Sequence, residues 1–486
     1  MQSLKRWFST LVLASLVVVT GFGCKGLSTE EQQWTKPLTL EYWTVFDDVD
    51  AIQEIANQFQ KERPFITIKI RQFRYDELYD NLVEALAEDR GPDIISIRNT
   101  WIGKFQNKLA AMPASVRDTT LVVERGQFSS KTTVNSQARA GLTTTQLDRE
   151  YVQAVGQDVL RGGKIYGLPL SMDTLAVYYN KDLLDRAQIA EPPKNWKEFQ
   201  VDVKKLTKID KTTNKIIQSG VAMGTGNNVP GSEDILYVLY RQSLVQFADQ
   251  TGRSTLNQKP SGLNQGEETP AMQVVGFYSD YANPARDTYT WSETMENGLD
   301  RFVNGSVGFY FGHSYDFPII KARAPQLNFD VVPMLQLNPE SPVNVASYWV
   351  QTVVSKSKHQ NEAWNFLLYL THSSATKQYI DRTGRPSAVR SLVAEQIKSG
   401  DAEVVLVGTE PTPTSGAVID KHFTAAFATQ ALVAESWYKG KEYESATKSV
   451  NDMLHEWLIT PPDPNRAVEW KQGILDRAAA KINQTY

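Results

Sequence analysis

The chain has one cysteine in 486 residues, which excludes an intramolecular disulfide and any multi-cysteine zinc or iron–sulfur site. Its five histidines are scattered, with no pair at the spacing of a zinc protease. There is no Gly-x-Ser-x-Gly nucleophile elbow. The sequence also lacks an excess of either charge. Fifty-one Lys and Arg face 55 Asp and Glu, a net of −4, so the broad positive field that grips a phosphate backbone is missing and nucleic acid is not an expected partner. No apolar run reaches the roughly 20 residues that cross a bilayer as a helix. No catalytic set, metal site or cofactor motif emerges. A glycoside hydrolase built on two carboxylates is the enzyme-class rival, and nothing singles out such a pair. What is present is apolar bulk: 41% hydrophobic residues and 10% aromatics, enough for large cores. The length favours two or more folding units.

The amino-terminal stretch reads as an address. Lys5 and Arg6 precede the apolar run Leu11 to Val19, and small residues follow at Gly21 and Gly23, the layout of a secretory signal. Cys24 comes next. The arrangement resembles a bacterial lipoprotein signal, with Gly21 where leucine is usual, and the resemblance implies removal of residues 1–23 and lipidation of Cys24. Residues 24–36 are polar and read as a tether.

Beyond the tether, Leu38-Thr39-Leu40-Glu41-Tyr42 alternates as a strand. A helix follows, with Asp50 as its expected cap and Ile52, Ile55, Ala56 and Phe59 on one stripe. Ile66, Ile68 and Ile70 make a second strand, Leu78, Leu82 and Leu86 a second helix, and Ile94 to Ile97 a third strand. This alternation is the pattern of a parallel sheet with crossover helices, whose ligands sit beyond the strands' carboxyl ends. Residues 110–165 are expected to be helices laid on the surface. A second alternation starts at Leu175, its helix capped by Asn195 and striped by Trp196, Phe199, Val203 and Leu206. Val307–Phe311, Phe329–Val332 and Ser347–Val354 are later strands, and Asp463-Pro464 starts a final helix.

Several of these segments, in order, resemble the extracellular solute-binding proteins of ABC importers, in particular the sugar-binding group. Trp43 to Asp48, Phe59 to Pro64, Pro92 to Ile95 and Val177 to Leu184 carry the likeness, with Phe302 to Gly308 and Thr383 to Pro386. The resemblance implies an α/β fold of two lobes, the type II periplasmic-binding-protein architecture, with hinge-crossing segments and a ligand cleft. It implies lobe I at 37–174, lobe II at 175–320, a return to lobe I at 321–356, and residues 357–486 mainly on lobe II. It also implies capture of a sugar or oligosaccharide and delivery to an ABC permease. Glycerol phosphate, peptides and polyamines are served by similar scaffolds.

A sugar offers hydroxyls and flat C–H faces, so its site needs carboxylates, amides and broad rings. Such groups stand at strand ends: Trp43, Asp47 and Asp48 after the first strand, and Asn99 and Trp101 after the third, with Arg98 beside them. Asp173 precedes the crossing strand, Trp291 sits in a polar stretch, and His313 leads into Ser314 and Tyr315. Tyr348 and Trp349 enter the last strand, and Arg385 precedes Pro386. The resemblance places these residues at the cleft. Asp48 as a helix cap, Trp349 as core and Arg98 in a surface ion pair are the structural alternatives.

Overall fold

The computed structural model describes residues 28–88, 90–125, 130–249, 253–264, 266–400 and 421–486. The signal segment, Cys24 and the start of the tether lie outside them. The rest of the expected tether is partly helical: Ser28 and Glu31 form a capping box on α1 (Thr29–Trp34).

Strand β1 (Leu38–Thr44) leads into α2 (Val49–Glu62), β2 (Ile66–Gln72), α3 (Tyr75–Ala87) and β3 (Ile94–Arg98). The three strands pair in parallel with β1 central. The expected helix stripes hold, since α2 buries Ile52, Ile55, Ala56 and Phe59, and α3 buries Leu78, Leu82 and Leu86. The cap of α2 is Asp48 rather than Asp50. Its carboxylate accepts the Ala51 N–H at 2.8 Å, leaving Asp50 inside the first turn, where its charge suits the helix dipole.

The next segment departs from expectation. Instead of surface helices, β4 (Ser115–Arg125) and β5 (Ser130–Ala140) form a long antiparallel hairpin, and only the short helices Thr144–Glu150 and Gln153–Val159 follow. The hairpin is rich in Thr and Val, whose branched side chains favour extended backbone. Its base is pinned by Arg63, which holds Asp118 through Nε at 2.8 Å and Nη2 at 2.9 Å; Asn365 donates to the same carboxylate at 2.8 Å.

The chain then crosses through β6 (Asp173–Thr174) into β7 (Ala176–Asn180), α4 (Trp196–Leu206), β8 (Ile216–Val221), α5 (Ser232–Gln242), β9 (Val307–Gly312) and β10 (Phe329–Pro333). Asn195 caps α4 as expected, accepting the Glu198 N–H. The second sheet runs β8–β9–β7–β10. Because β10 pairs with β7, residues 329–333 belong to the second sheet, and the return does not begin at 321. It comes through β11 (Asn344–Ser347), antiparallel to β6, and β12 (Trp349–Val354), antiparallel to β3. The helices α6 (Gln360–Leu370) and α7 (Ser373–Thr383) pack on α2, so the segment after 357 starts on the first lobe, where Phe366 meets Phe59 at 5.3 Å. The short strand β13 (Ala434–Glu435) joins β11 in the hinge sheet. On the second lobe, α8 (Tyr443–Trp457) packs between α5 and the final helix α9 (Ala467–Asn483). No helix among the described residues is long and apolar enough to cross a membrane.

Candidate functional site

A cavity of about 260 Å³ lies between the two sheets, above the hinge strands. The first lobe contributes Phe46 after β1, Tyr75 at the start of α3, Arg98 at the end of β3, Trp349 at the start of β12, and Arg385 with Pro386 after α7. Ser314 and Tyr315 come from the loop after β9, and Ser171, Met172, Asp173, Ser347 and Tyr348 from the hinge. Strands of both sheets end at this gap, and their loops meet across it.

Rings form much of the wall. Phe46 lies 5.3 Å from Trp349 and 6.3 Å from Tyr315, the latter nearly parallel at 25°. Tyr75 stands edge-on to Trp349 at 6.3 Å. Phe46 and Tyr315 remain 45% and 44% exposed, unusual for large rings unless something covers them. The polar wall is built around Asp173. Its Oδ2 accepts the Ser314 N–H at 2.9 Å and the Ser314 hydroxyl at 2.6 Å, and Oδ1 accepts the Thr174 N–H at 2.9 Å. Arg385 Nη2 donates to the Phe46 carbonyl at 2.5 Å, fixing the ring-bearing loop. Such a surface can hydrogen-bond hydroxyls and cover flat apolar faces.

Of the residues expected at the cleft, Arg98, Asp173, Ser314, Tyr315, Tyr348, Trp349 and Arg385 line the cavity. The others are placed elsewhere. Trp43 packs on Phe73 at 4.6 Å beneath Arg71. Asp47 accepts from Thr44 and Gln351 inside the first lobe. Asn99 donates to Asp158 within the first lobe and to Ser436 beside the hinge strand β13. Trp101 Nε1 donates to Glu444 of α8 at 2.8 Å, so Trp101 braces the lobes against each other. His313 is buried behind the wall, stacked on Tyr315 at 5.2 Å. Trp291 is core: it is 0% exposed and donates to Asn228. Its polar flanks disguise this, because sequence neighbours do not reveal which way an indole points.

Arg98 is not in a surface ion pair but lines the cavity, its guanidinium 4.4 Å over the Tyr443 ring. Asp48 takes its structural alternative as the α2 cap. Asp48→Ala is therefore expected to cost about 1 kcal/mol of stability and to change ligand affinity by less than about threefold; denaturant titration and calorimetry on the same variant check both. Tyr75 was not among the expected residues. It follows the second strand of the sheet, whose carboxyl end the strand-end rule covers as well.

Three buried carboxyls around this wall hold their protons unusually well. Burial pushes Asp173 up to about 6, and Asp316 and Asp234 up to about 7, the neighbouring Glu233 adding to Asp234. Burial, then Arg98, pushes His313 down to about 3. A raised acid contributes stability that is complete below about pH 4 and lost as pH rises through its folded value; the depressed histidine contributes stability lost as pH falls below about 6.5. Three groups of the first sign outweigh one of the second. The urea midpoint is expected to fall between about pH 5 and pH 7, with a flatter profile in Asp316→Asn; a midpoint that rises over that window contradicts the assignment.

Comparison with known proteins gives a consistent result. The family profile of the bacterial extracellular solute-binding proteins matches residues 45–377. The multiple sugar-binding protein of Streptococcus mutans is 22% identical over 394 residues, covering 80% of this chain and 84% of that one. Among solved structures, a cyclic α-maltosyl-1,6-maltose binding protein from Arthrobacter globiformis superposes with a TM-score of 0.65 at 15% identity, over 92% of this chain and 99% of that one. A cyclo/maltodextrin-binding protein complexed with maltotetraose gives 0.64 at 16%, over 92% and 97%. At those identities the structural likeness is one of fold, the two-lobed type II periplasmic binding architecture expected from the sequence.

Proposed function

The chain belongs to the bacterial extracellular solute-binding proteins, and from that premise we propose that it captures a sugar or oligosaccharide between its lobes and hands it to an ABC permease. One observation carries the reading: a gap between two sheets, with hinge strands beneath it, walled by exposed rings and polar groups. Rings suit the C–H faces of a pyranose, and the hydroxyls find Asp173, Ser314 and Arg385, while the Tyr348 hydroxyl is spent on Asp158. A ligand that touches Phe46 and Trp349 on one lobe and Tyr315 on the other favours the closed state over the open one, and this differential contact is what couples capture to a shape the permease can read. At about 260 Å³ the cavity is near the lower end of small-ligand sites, which suits a guest of one or two rings when shut. The names of the Streptococcus mutans relative and of the two structural neighbours support a carbohydrate.

Calorimetry on the purified chain against mono- and oligosaccharides is the test, with micromolar dissociation constants expected and small-angle scattering showing contraction on binding. A response to a peptide or polyamine, and to no carbohydrate, moves the function to another solute. The anchor belongs to the same proposal. Cys24 carries the lipid that holds the protein outside the cell membrane, and Cys24→Ser is expected to release the chain to the soluble fraction. Membrane retention of that variant rules out the thioether anchor.

A further inference from the structure

The charge of the cavity wall goes beyond a generic sugar site. Its ionisable lining is Arg98, Arg385 and Asp173 besides tyrosines. Asp173 already accepts three hydrogen bonds. Some arginines elsewhere in the fold find carboxylates, as Arg63 finds Asp118 and Arg382 finds Glu54, and others rest on rings or carbonyls, as Arg71 and Arg139 do. Among the described residues neither Arg98 nor Arg385 makes such a pair. Arg385 spends a donor on the Phe46 carbonyl and lies in the field of Asp47, Asp48 and Asp173. Arg98 is the less compensated of the two. One face of its guanidinium rests on Tyr443 at 4.4 Å, which orients the planar fork without neutralising it. The acid in its field is Asp234, behind the wall beside His313. That carboxyl lies off the cavity lining and makes no ion pair with Arg98.

Building on the carbohydrate reading above, we propose that Arg98 is an anion-receiving residue and that the captured saccharide carries a carboxylate or phosphate group. A guanidinium held by stacking keeps its edge donors in fixed directions, the geometry that binds such groups bidentately. The low-dielectric wall strengthens the contact, and an acidic ligand supplies the directly paired anion that Arg98 lacks among the described residues.

The test uses paired probes on the purified chain by calorimetry: galacturonic acid against galactose, digalacturonate against a neutral disaccharide, and glucose 6-phosphate against glucose. The uronate and phosphate arms separate the two anion sources. At least one acidic probe is expected to bind about tenfold tighter than its neutral partner, and to lose several-fold in affinity as salt rises from about 20 to about 200 mM. Arg98→Gln is expected to weaken the acidic probe at least about fivefold more than the neutral one, with Arg98→Lys recovering part of the preference. Because the wild-type comparison needs no variant, a folding defect in Arg98→Gln leaves the test intact. Neutral sugars that bind as well as or better than their acidic partners overturn the assignment while the carbohydrate reading stands. Failure of every saccharide, with another solute bound, overturns the carbohydrate reading itself and this assignment with it.

Discussion

Replacing Arg63 by methionine is expected to lower the stability of the first lobe by about 3–5 kcal/mol, the cost of leaving one partner of a buried ion pair alone. Arg63 and Asp118 are both buried, at 4% and 6% exposure, and their two hydrogen bonds are parallel and short. Burial pushes the Asp118 carboxyl up, but the hydrogen bonds from Arg63 and Asn365 and the Arg63 charge outweigh it and hold the group below its ordinary value. Arg63 also covers the Phe59 ring at 4.3 Å and donates to the Phe59 carbonyl. The pair thus ties the hairpin of β4 and β5 to α2 and, through Asn365, to α6. Urea titration of wild type and Arg63→Met measures the loss. The double variant with Asp118→Leu should regain much of it, since no unpaired charge remains. A single-variant loss below about 1 kcal/mol would show the pair to be incidental, as exposed pairs usually are.

The second large effect concerns binding. Trp349→Ala is expected to weaken the best saccharide ligand by about thirtyfold, about 2 kcal/mol on the scale of stacking platforms. Trp349 is half-buried at the start of β12, with Phe46 at 5.3 Å, Trp101 at 6.0 Å and Tyr75 edge-on, so its ring is held in place before a guest arrives. Trp349→Phe should retain most of the affinity. Trp101→Ala is the contrast: that indole is buried and spends its N–H on Glu444, so its removal should act chiefly on stability. Calorimetry on the three variants separates these cases, and a Trp349→Ala affinity within about threefold of wild type removes the ring platform from the mechanism.

How far the site was legible follows from what each residue's neighbours are in the chain and in space. Asp173, Trp349 and Arg385 stand at strand ends or turns, where one residue of register fixes a side chain toward the gap. Trp43 and Asp47 stand equally at a strand end, yet turn inward, because Phe73 and Gln351 supply partners from distant segments. Asn99 and Trp101, expected to reach a ligand, bond to Asp158, Ser436 and α8 instead. The hairpin at 115–140 is not legible in the sequence because its Thr, Gln and Arg content carries only weak periodicity, and because its anchor, Arg63, lies more than fifty positions from Asp118.

Local alternation and stripe patterns were enough to determine β1 to β3 with their helices, and β7, β9, β10 and β12, since a side chain's period along the backbone is a property of the chain alone. They did not mark β8, whose residues pair on both sides with other segments of the second sheet. Residue order likewise carried the family likeness. Tertiary packing decided which sheet takes residues 329–333, where α6 and α7 lie, and which of many strand-end rings and acids face the gap. Those outcomes depend on partners brought together from hundreds of residues apart, whose competing hydrogen bonds and ring contacts no local pattern encodes.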